Sequence, residues 1–540
     1  MARRPILLVL VLLVAGSGCD ARSGSARVAP RESSPAKTST STTTTPAPRP
    51  PRRAARVLLL GDSILDQEGS AAAFLLRQSG VDARAIGVWG SGLIGIDQYD
   101  YGKTKPSGYW LHRARVEVAA FRPDAVGVYM NHSYWPPYPH DAAGNPITDL
   151  SSPSGQAMIA QQARALIHVL RAGGARVFFI TPAPVATTGD PDLAASNPIW
   201  RGYLPALRAL HVMVADTAPA LETAAGLRAE TKRSCTGTQA RVRPAGDVHL
   251  TRFGAGRAGS TLARFVAGLV HVSLRGNAAP GDAVAALVPT RSEQGYWLVA
   301  CDGSVFHFGD ATPLAGVPAM ARHGGVATAI AAPSGNGLWV VARDGTIAAS
   351  GTAPPLTLAP RPRDPIVAAA TDPDGVGLWA VTAAGAVSTA GGAHQFRGHA
   401  NGAIVGIAAT PDGRGFWMVN RDGDVFAFGA ARLHGSAPAI RGATTIAGVA
   451  AAPGGGGYWL VAADGTVFAI GDAPPRGNAR WQPPTGPRGR DTPPPGPTVG
   501  IVATAGAAPG YWVFGSTGRV VGRGAAHNYG GDNNLALATQ

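Results

Sequence analysis

Cysteine is scarce in this 540-residue chain: Cys19, Cys235 and Cys301 are the only three. None stands at metal-ligand spacing, so no metal site is expected, and nothing in the sequence calls for a cofactor. Zinc-finger, RNP and helix-turn-helix signatures are also missing, which sets nucleic-acid partners aside. No apolar run is long enough for a comfortable membrane span; the longest N-terminal one covers residues 6–15. Charged residues make up 15% of the chain, with a formal net charge of +14. Part of that excess sits in the first 60 residues, at Arg22, Arg27, Arg31, Arg49, Arg52, Arg53 and Arg56, so it need not describe a binding groove.

What is present is turn-forming and globular. There are 72 glycines and 45 prolines, and the hydrophobic fraction is 45%. The length exceeds one compact core and implies two or more domains.

The first residues, MARRPILLVLVLLVAGSGC, place Arg3 and Arg4 before the apolar run and small residues after it. That is the plan of a signal peptide over residues 1–19, so the chain is expected to be exported, to the cell surface or beyond. Cys19 ends AGSGC, which resembles a bacterial lipobox, with Gly16 where such boxes carry leucine. Either Cys19 is lipidated and anchors the chain to a membrane, or the site is an ordinary cleavage site with a spare thiol. Outside the cytoplasm Cys235 and Cys301 can pair; two buried thiols are the alternative. Residues 20–55, including KTSTSTTTTPAPRPPRR, hold nothing that could form a core and read as a disordered tether.

From residue 56 to 273 apolar strand-like runs alternate with amphipathic segments. RVLLL, VDARAIGV, DAVGVYM, ARVFFITPAP and the end of LPALRALHVMVAD are the strands. Helices are expected over 67–79, 110–121, 155–172 and 253–270. The alternation predicts an α/β domain with a parallel sheet covered on both faces.

Residues 282–532 repeat instead. GYWLVACDGSVFHFGDA, GLWVVARDGTIAASGTA, GLWAVTAAGAVSTAGGA, GFWMVNRDGDVFAFGAA, GYWLVAADGTVFAIGDA and GYWVFGSTGRVVGRGAA are six copies. Their tryptophans, Trp297, Trp339, Trp379, Trp417, Trp459 and Trp512, are spaced by 42, 40, 38, 42 and 53 residues. A period near forty predicts a six-bladed, all-β propeller. Each unit reads as two strands, an Asp-Gly hairpin with positive φ at both turn residues, a third strand and a Gly-rich fourth segment. The tryptophans are expected to pack between blades rather than to stack on sugars. The array resembles the GYWLVAxDGGVFAFGDA repeats of actinobacterial surface proteins. Each part is long enough for its own core, so residues 57–273 are expected to fold without the repeats.

The chemistry concentrates at the ends of the early strands. VLLLGDSILDQEG puts Ser63 after a buried strand and before a helix, at the carboxyl edge of the sheet, where α/β proteins place their sites. Asp62 beside it is expected to cap or orient the turn. A serine needs a base, so a histidine should follow downstream. GVWGSGL sets Gly90 and Gly92 after the second strand, and VYMNHSYWPPY sets Asn131 after the third; both can offer N–H groups to an oxyanion. AGDVHLTRFGAGRAG puts Asp247 and His249 immediately before the last helix. His132 and His140, with Tyr134, Trp135 and Tyr138, read as cleft-shaping rather than metal-binding.

Ser, Gly, Asn and His in that order resemble the SGNH (GDSL-type) hydrolases over residues 56–273. The resemblance implies a flavodoxin-like three-layer sandwich. It implies Ser63 as nucleophile, His249 as base steered by Asp247, and an oxyanion hole from Ser63, Gly92 and Asn131. The third block departs: Tyr129-Met130-Asn131-His132 stands where the family has Gly-x-Asn-Asp. In the fifth block Gly246 holds the usual position of the acid, and Asp247 lies one residue closer to the histidine. The function implied is a surface-associated, monomeric serine esterase working through an acyl-enzyme on a carbohydrate or cell-envelope O-acyl ester. The alternative is a non-catalytic adhesion protein built on a decayed hydrolase fold with a ligand-binding propeller.

Overall fold

The computed structural model describes residues 53–88, 99–100, 103–104, 109–129, 141–147, 152–181, 207, 209–221, 231–233, 239–242, 249–274, 283–372, 377–396, 398, 400–437, 445–480, 496–506 and 508–531. The chain divides into two compact units, Met1–Arg53 and Ala54–Gln540, and the architecture described belongs to the second.

Its first half is a five-stranded parallel sheet. β1 (Arg56–Gly61), β2 (Asp82–Gly87), β3 (Ala125–Tyr129), β4 (Arg176–Thr181) and β5 (Met213–Asp216) lie in the order β2-β1-β3-β4-β5. That is the flavodoxin-like order, with β1 in the middle of the strand-order reversal. Among the described residues four α-helices cover the sheet: α1 (Ser63–Gln78), α2 (Tyr109–Phe121), α3 (Pro153–Arg171) and α4 (Arg252–Leu269). Because strand side chains alternate, Val57 and Leu59 enter one core with α1 and α4, while Leu58 and Leu60 enter another with α2 and α3. Three layers follow directly from an apolar run with no polar interruption. Among the described residues no helix is long and apolar enough to cross a membrane.

The second half consists of six three-stranded antiparallel sheets, one per repeat, from Val284–Pro289, Gly295–Ala300 and Val305–Gly309 to Thr498–Ala503, Gly510–Gly515 and Val520–Gly524. The two strands, the turn and the third strand of the expected unit are present in every sheet. A left-handed glycine ends every third strand, at Gly309, Gly351, Gly391, Gly429, Gly471 and Gly524. The chain beyond accepts an indole N–H instead of continuing a ladder. Trp297, Trp339, Trp379, Trp417, Trp459 and Trp512 donate to the carbonyls of Thr312, Pro354, His394, Arg432, Pro474 and His527, at 2.6–2.9 Å.

All six tryptophans are buried at the junctions of neighbouring sheets, as expected. Trp417 meets Tyr458 of the next sheet at 5.3 Å, and Trp459 meets Tyr511 at 5.2 Å. The hairpin turn differs from expectation. Only its glycine, such as Gly303 at φ 91°, is left-handed; the preceding aspartate is not. Gly303 N–H bonds Ala300 O at 2.9 Å while Ala300 N–H bonds Ser304 O at 2.8 Å, a three-residue loop. Asp302 keeps a side-chain role there, accepting from Ser304 N–H at 3.0 Å.

First and last sheets also touch. Tyr296 and Trp512 pack edge to face at 6.2 Å, and the Tyr296 hydroxyl donates to Asn528 Oδ1 and Gly530 O. Burial pushes the Tyr296 phenol well above its ordinary range, so it stays a donor.

Each half keeps clusters of its own, and one further cluster is shared between them. One cluster runs from Val57, Phe74 and Leu262 into Leu287, Tyr296, Phe306, Phe308 and Phe514. Phe74 of α1 lies 5.4 Å from Phe306 and 6.3 Å from Phe308. Beside them Gln78 donates to His307 O at 3.1 Å and accepts from His307 N–H at 2.9 Å. Val305–Gly309 is an edge strand, and the Gln78 amide satisfies backbone groups that would otherwise face outward.

The shared cluster bears on the expectation that residues 57–273 fold without the repeats. Excised residues 54–274 should aggregate, or melt well below the full chain, because Phe74 loses the apolar surface that buries it. Phe74→Ala in the full chain should cost roughly 3–5 kcal/mol. Size-exclusion chromatography and parallel melts check both; a monomeric fragment melting with the full chain would contradict a shared core.

Candidate functional site

β1 ends at Gly61, and Asp62 turns the chain into α1. The Asp62 carboxylate accepts from Ile64 N–H at 2.8 Å and Leu65 N–H at 3.1 Å, so it is the helix cap that its position suggested. Capping moves the helix start to Ser63, four residues before the start expected from apolar spacing. Ser63 thus opens α1 at the carboxyl edge of β1, where the helix dipole favours negative charge.

His249 comes from the other end of the domain. It stands two residues before Thr251, whose hydroxyl caps α4 by accepting from Gly254 N–H at 3.2 Å. Thr251 also donates its N–H to Val242 O at 2.9 Å and its hydroxyl to Arg241 O at 2.5 Å, which anchors the turn. α4 lies close along α1 because of Gly259. A Cβ there would fall 2.6 Å from Ala71 Cβ and 2.7 Å from Glu68 O, closer than packed atoms allow. This close approach brings His249 Nε2 to 3.0 Å from Ser63 Oγ, across 186 residues of sequence. With the ring proton on Nδ1, Nε2 can take the hydroxyl proton.

Two further α1 side chains face this region. Gln67 Oε1 accepts from Leu250 N–H at 2.7 Å. Glu68, fully buried, lies 3.4 Å from Thr217 Oγ. Thr217 donates to Thr181 O at 2.9 Å, and Thr181 donates to Asp216 at 2.7 Å, so α1 is tied to the ends of β4 and β5.

Of the residues proposed from sequence, Ser63 and His249 are brought together. Gly92, Asn131 and Asp247 lie outside the described residues, as do Cys19, Cys235 and the aromatic segment with His132 and His140. Cys301 is buried and disulfide-bonded. Among the described residues no group of three or more His, Cys, Asp or Glu could hold a metal ion. Gln67 escaped the sequence reading. Its only signal was a position four residues after Ser63, on the same face of a helix then expected to start at Gln67 itself.

No known family profile matches the chain, and no curated protein does. Solved structures do resemble it in part. A lipolytic protein of the G-D-S-L family from Desulfitobacterium hafniense is 15% identical, over 39% of this chain and 98% of that one, with a TM-score of 0.27. A protein described as an SGNH hydrolase, from Slackia heliotrinireducens, is 17% identical over 39% and 99%, also at 0.27. A lipase/acylhydrolase from Enterococcus faecalis is 15% identical over 41% and 98%, at 0.26.

The cap gives a direct test of how the serine is placed. Asp62→Ala should lower stability by about 1–2 kcal/mol, while Asp62→Asn, which keeps an acceptor, should lose less. Denaturant unfolding of the three proteins checks the order; equal losses for Ala and Asn would contradict the capping role.

Proposed function

We propose that this protein is an exported serine esterase that works through an acyl-enzyme. The observation that carries the reading is the 3.0 Å pairing of Ser63 Oγ with His249 Nε2 at the start of α1. In the first half-reaction His249 takes the Ser63 proton while Oγ attacks the ester carbonyl carbon. The tetrahedral oxyanion is met by the Ser63 N–H, at a helix start, and by Gly92 N–H and the Asn131 amide. Collapse expels the alcohol, which takes the proton from His249. Water then attacks the acyl-serine by the same route in reverse, with His249 as base. Asp247 is assigned to hold the imidazole tautomer: were the Asp-Val-His stretch extended, residues two apart would share a side, roughly 6–7 Å apart along the backbone.

The favoured substrate is an O-acyl or O-acetyl ester of a carbohydrate or cell-envelope polymer, offered to the aromatic segment after Asn131. A decayed hydrolase would not need to keep serine and histidine in hydrogen-bond contact, which disfavours the adhesion-only reading.

The six sheets form a closed six-bladed propeller in this reading. Its support is that each sheet packs its tryptophan on the next, while Tyr296 and Trp512 join first to last. The disulfide at Cys301 supports an oxidising compartment. We assign Cys235 as its partner, leaving Cys19 for the lipid; peptide mapping without reductant tests that pairing, and a Cys19–Cys301 peptide would refute it.

Ser63→Ala should abolish hydrolysis of a short p-nitrophenyl ester, a fall on the order of 10⁶ in turnover, with the fold retained. Asp247→Asn should cut turnover at least about a hundredfold with little change in melting temperature. Parental turnover in Ser63→Ala sinks the nucleophile. Near-parental turnover with earlier melting in Asp247→Asn leaves a Ser–His dyad.

A further inference from the structure

The geometry points to Gln67 as a positioning residue for the His249 base, an inference that rests on the esterase reading above. Ser63 and Gln67 are one helical turn apart on α1, so their side chains leave the same face. Both meet the same two-residue stretch: Ser63 Oγ pairs with the His249 ring, and Gln67 Oε1 takes the N–H of Leu250 at 2.7 Å. Leu250 has little other freedom, since its side chain is buried in the core between α1 and α4.

The peptide carrying the Leu250 N–H is also the peptide that follows the His249 Cα. Fixing that N–H fixes the orientation of the plane from which the imidazole projects. Thr251 secures the next peptide through Val242 O. Of these two anchors, Gln67 alone is on the helix that carries the nucleophile. It therefore sets serine and histidine in one frame, rather than through two independently moving elements. General-base transfer needs the nitrogen within hydrogen-bond reach of the hydroxyl, and displacement by 1 Å can cost about a hundredfold.

The role belongs to an acceptor, not to an amide as such, because the Leu250 N–H is the donor. Gln67→Leu keeps the length near Cβ and Cγ and removes the acceptor; Gln67→Glu keeps an acceptor oxygen and adds a negative charge. The experiment is steady-state hydrolysis of a short p-nitrophenyl ester across pH by the full-length parent, Gln67→Leu and Gln67→Glu. Melts confirm that all three are folded at the assay temperature.

Gln67→Leu should lose about tenfold to a hundredfold in kcat with KM within a few-fold of the parent. Gln67→Glu should regain most of that kcat above its acid limb. The acid limb itself should move to higher pH, since a carboxylate near His249 favours the imidazolium. An unchanged kcat in Gln67→Leu overturns the inference, as does a loss that Gln67→Glu fails to recover at any pH. A parent without esterase activity would instead overturn the esterase reading, so the two failures are told apart.

Discussion

Everything at the site depends on how closely two helices can lie. α1 begins at Ser63 and α4 follows His249, and the pair meets where Gly259 presents no side chain to Ala71 and Glu68 O. Neither helix needs the other to form. Both are capped locally, by Asp62 and Thr251. Their contact brings Ser63 Oγ and His249 Nε2, distant in sequence, to 3.0 Å. The constraint is steric rather than electrostatic: a Cβ at position 259 would displace one helix and carry His249 away with it.

That helix pair is also where the repeats make contact. Phe74 on α1 is buried by Phe306 and Phe308, and Gln78 at its end satisfies the edge of the first sheet. α1 therefore has a different neighbour at each end. Its first turn holds serine against histidine, and its last turn rests on the repeat array, roughly 22 Å away at 1.5 Å per residue. One shared apolar cluster thus joins the two halves.

Sequence made the elements readable where physics is local. RVLLL has no polar interruption and is buried on both faces; the six tryptophans repeat at one position and are buried six times. Asp62 before Ser63 is an N-cap by residue type. The meeting of Ser63 and His249 was legible because polar groups at strand ends and helix starts gather at one edge of a parallel sheet. What was not legible depends on neighbours distant in sequence. Phe74 reads as an ordinary inward residue of an amphipathic helix, and nothing in the helix says that a repeat sheet covers it. The carbonyl that each indole holds beyond the third strand was not legible either, because nothing in a Gly-rich segment marks which backbone oxygen will face the ring. The Asp-Gly pair suggested a two-residue turn, but a three-residue loop needs only the glycine left-handed. Gln67 carries no chemical signature at all, since an amide accepting from a backbone N–H acquires meaning only once Leu250 is seen beside it.

The central claim is that Ser63 is a nucleophile activated by His249. Intact-mass and peptide analysis after exposure to a fluorophosphonate measures this most directly, since the reagent is attacked only by an activated serine. One adduct per chain, mapped to Ser63 and lost in His249→Ala while that variant remains folded, is the predicted result. No adduct on the folded parent, or an adduct that persists unchanged in His249→Ala, would contradict it.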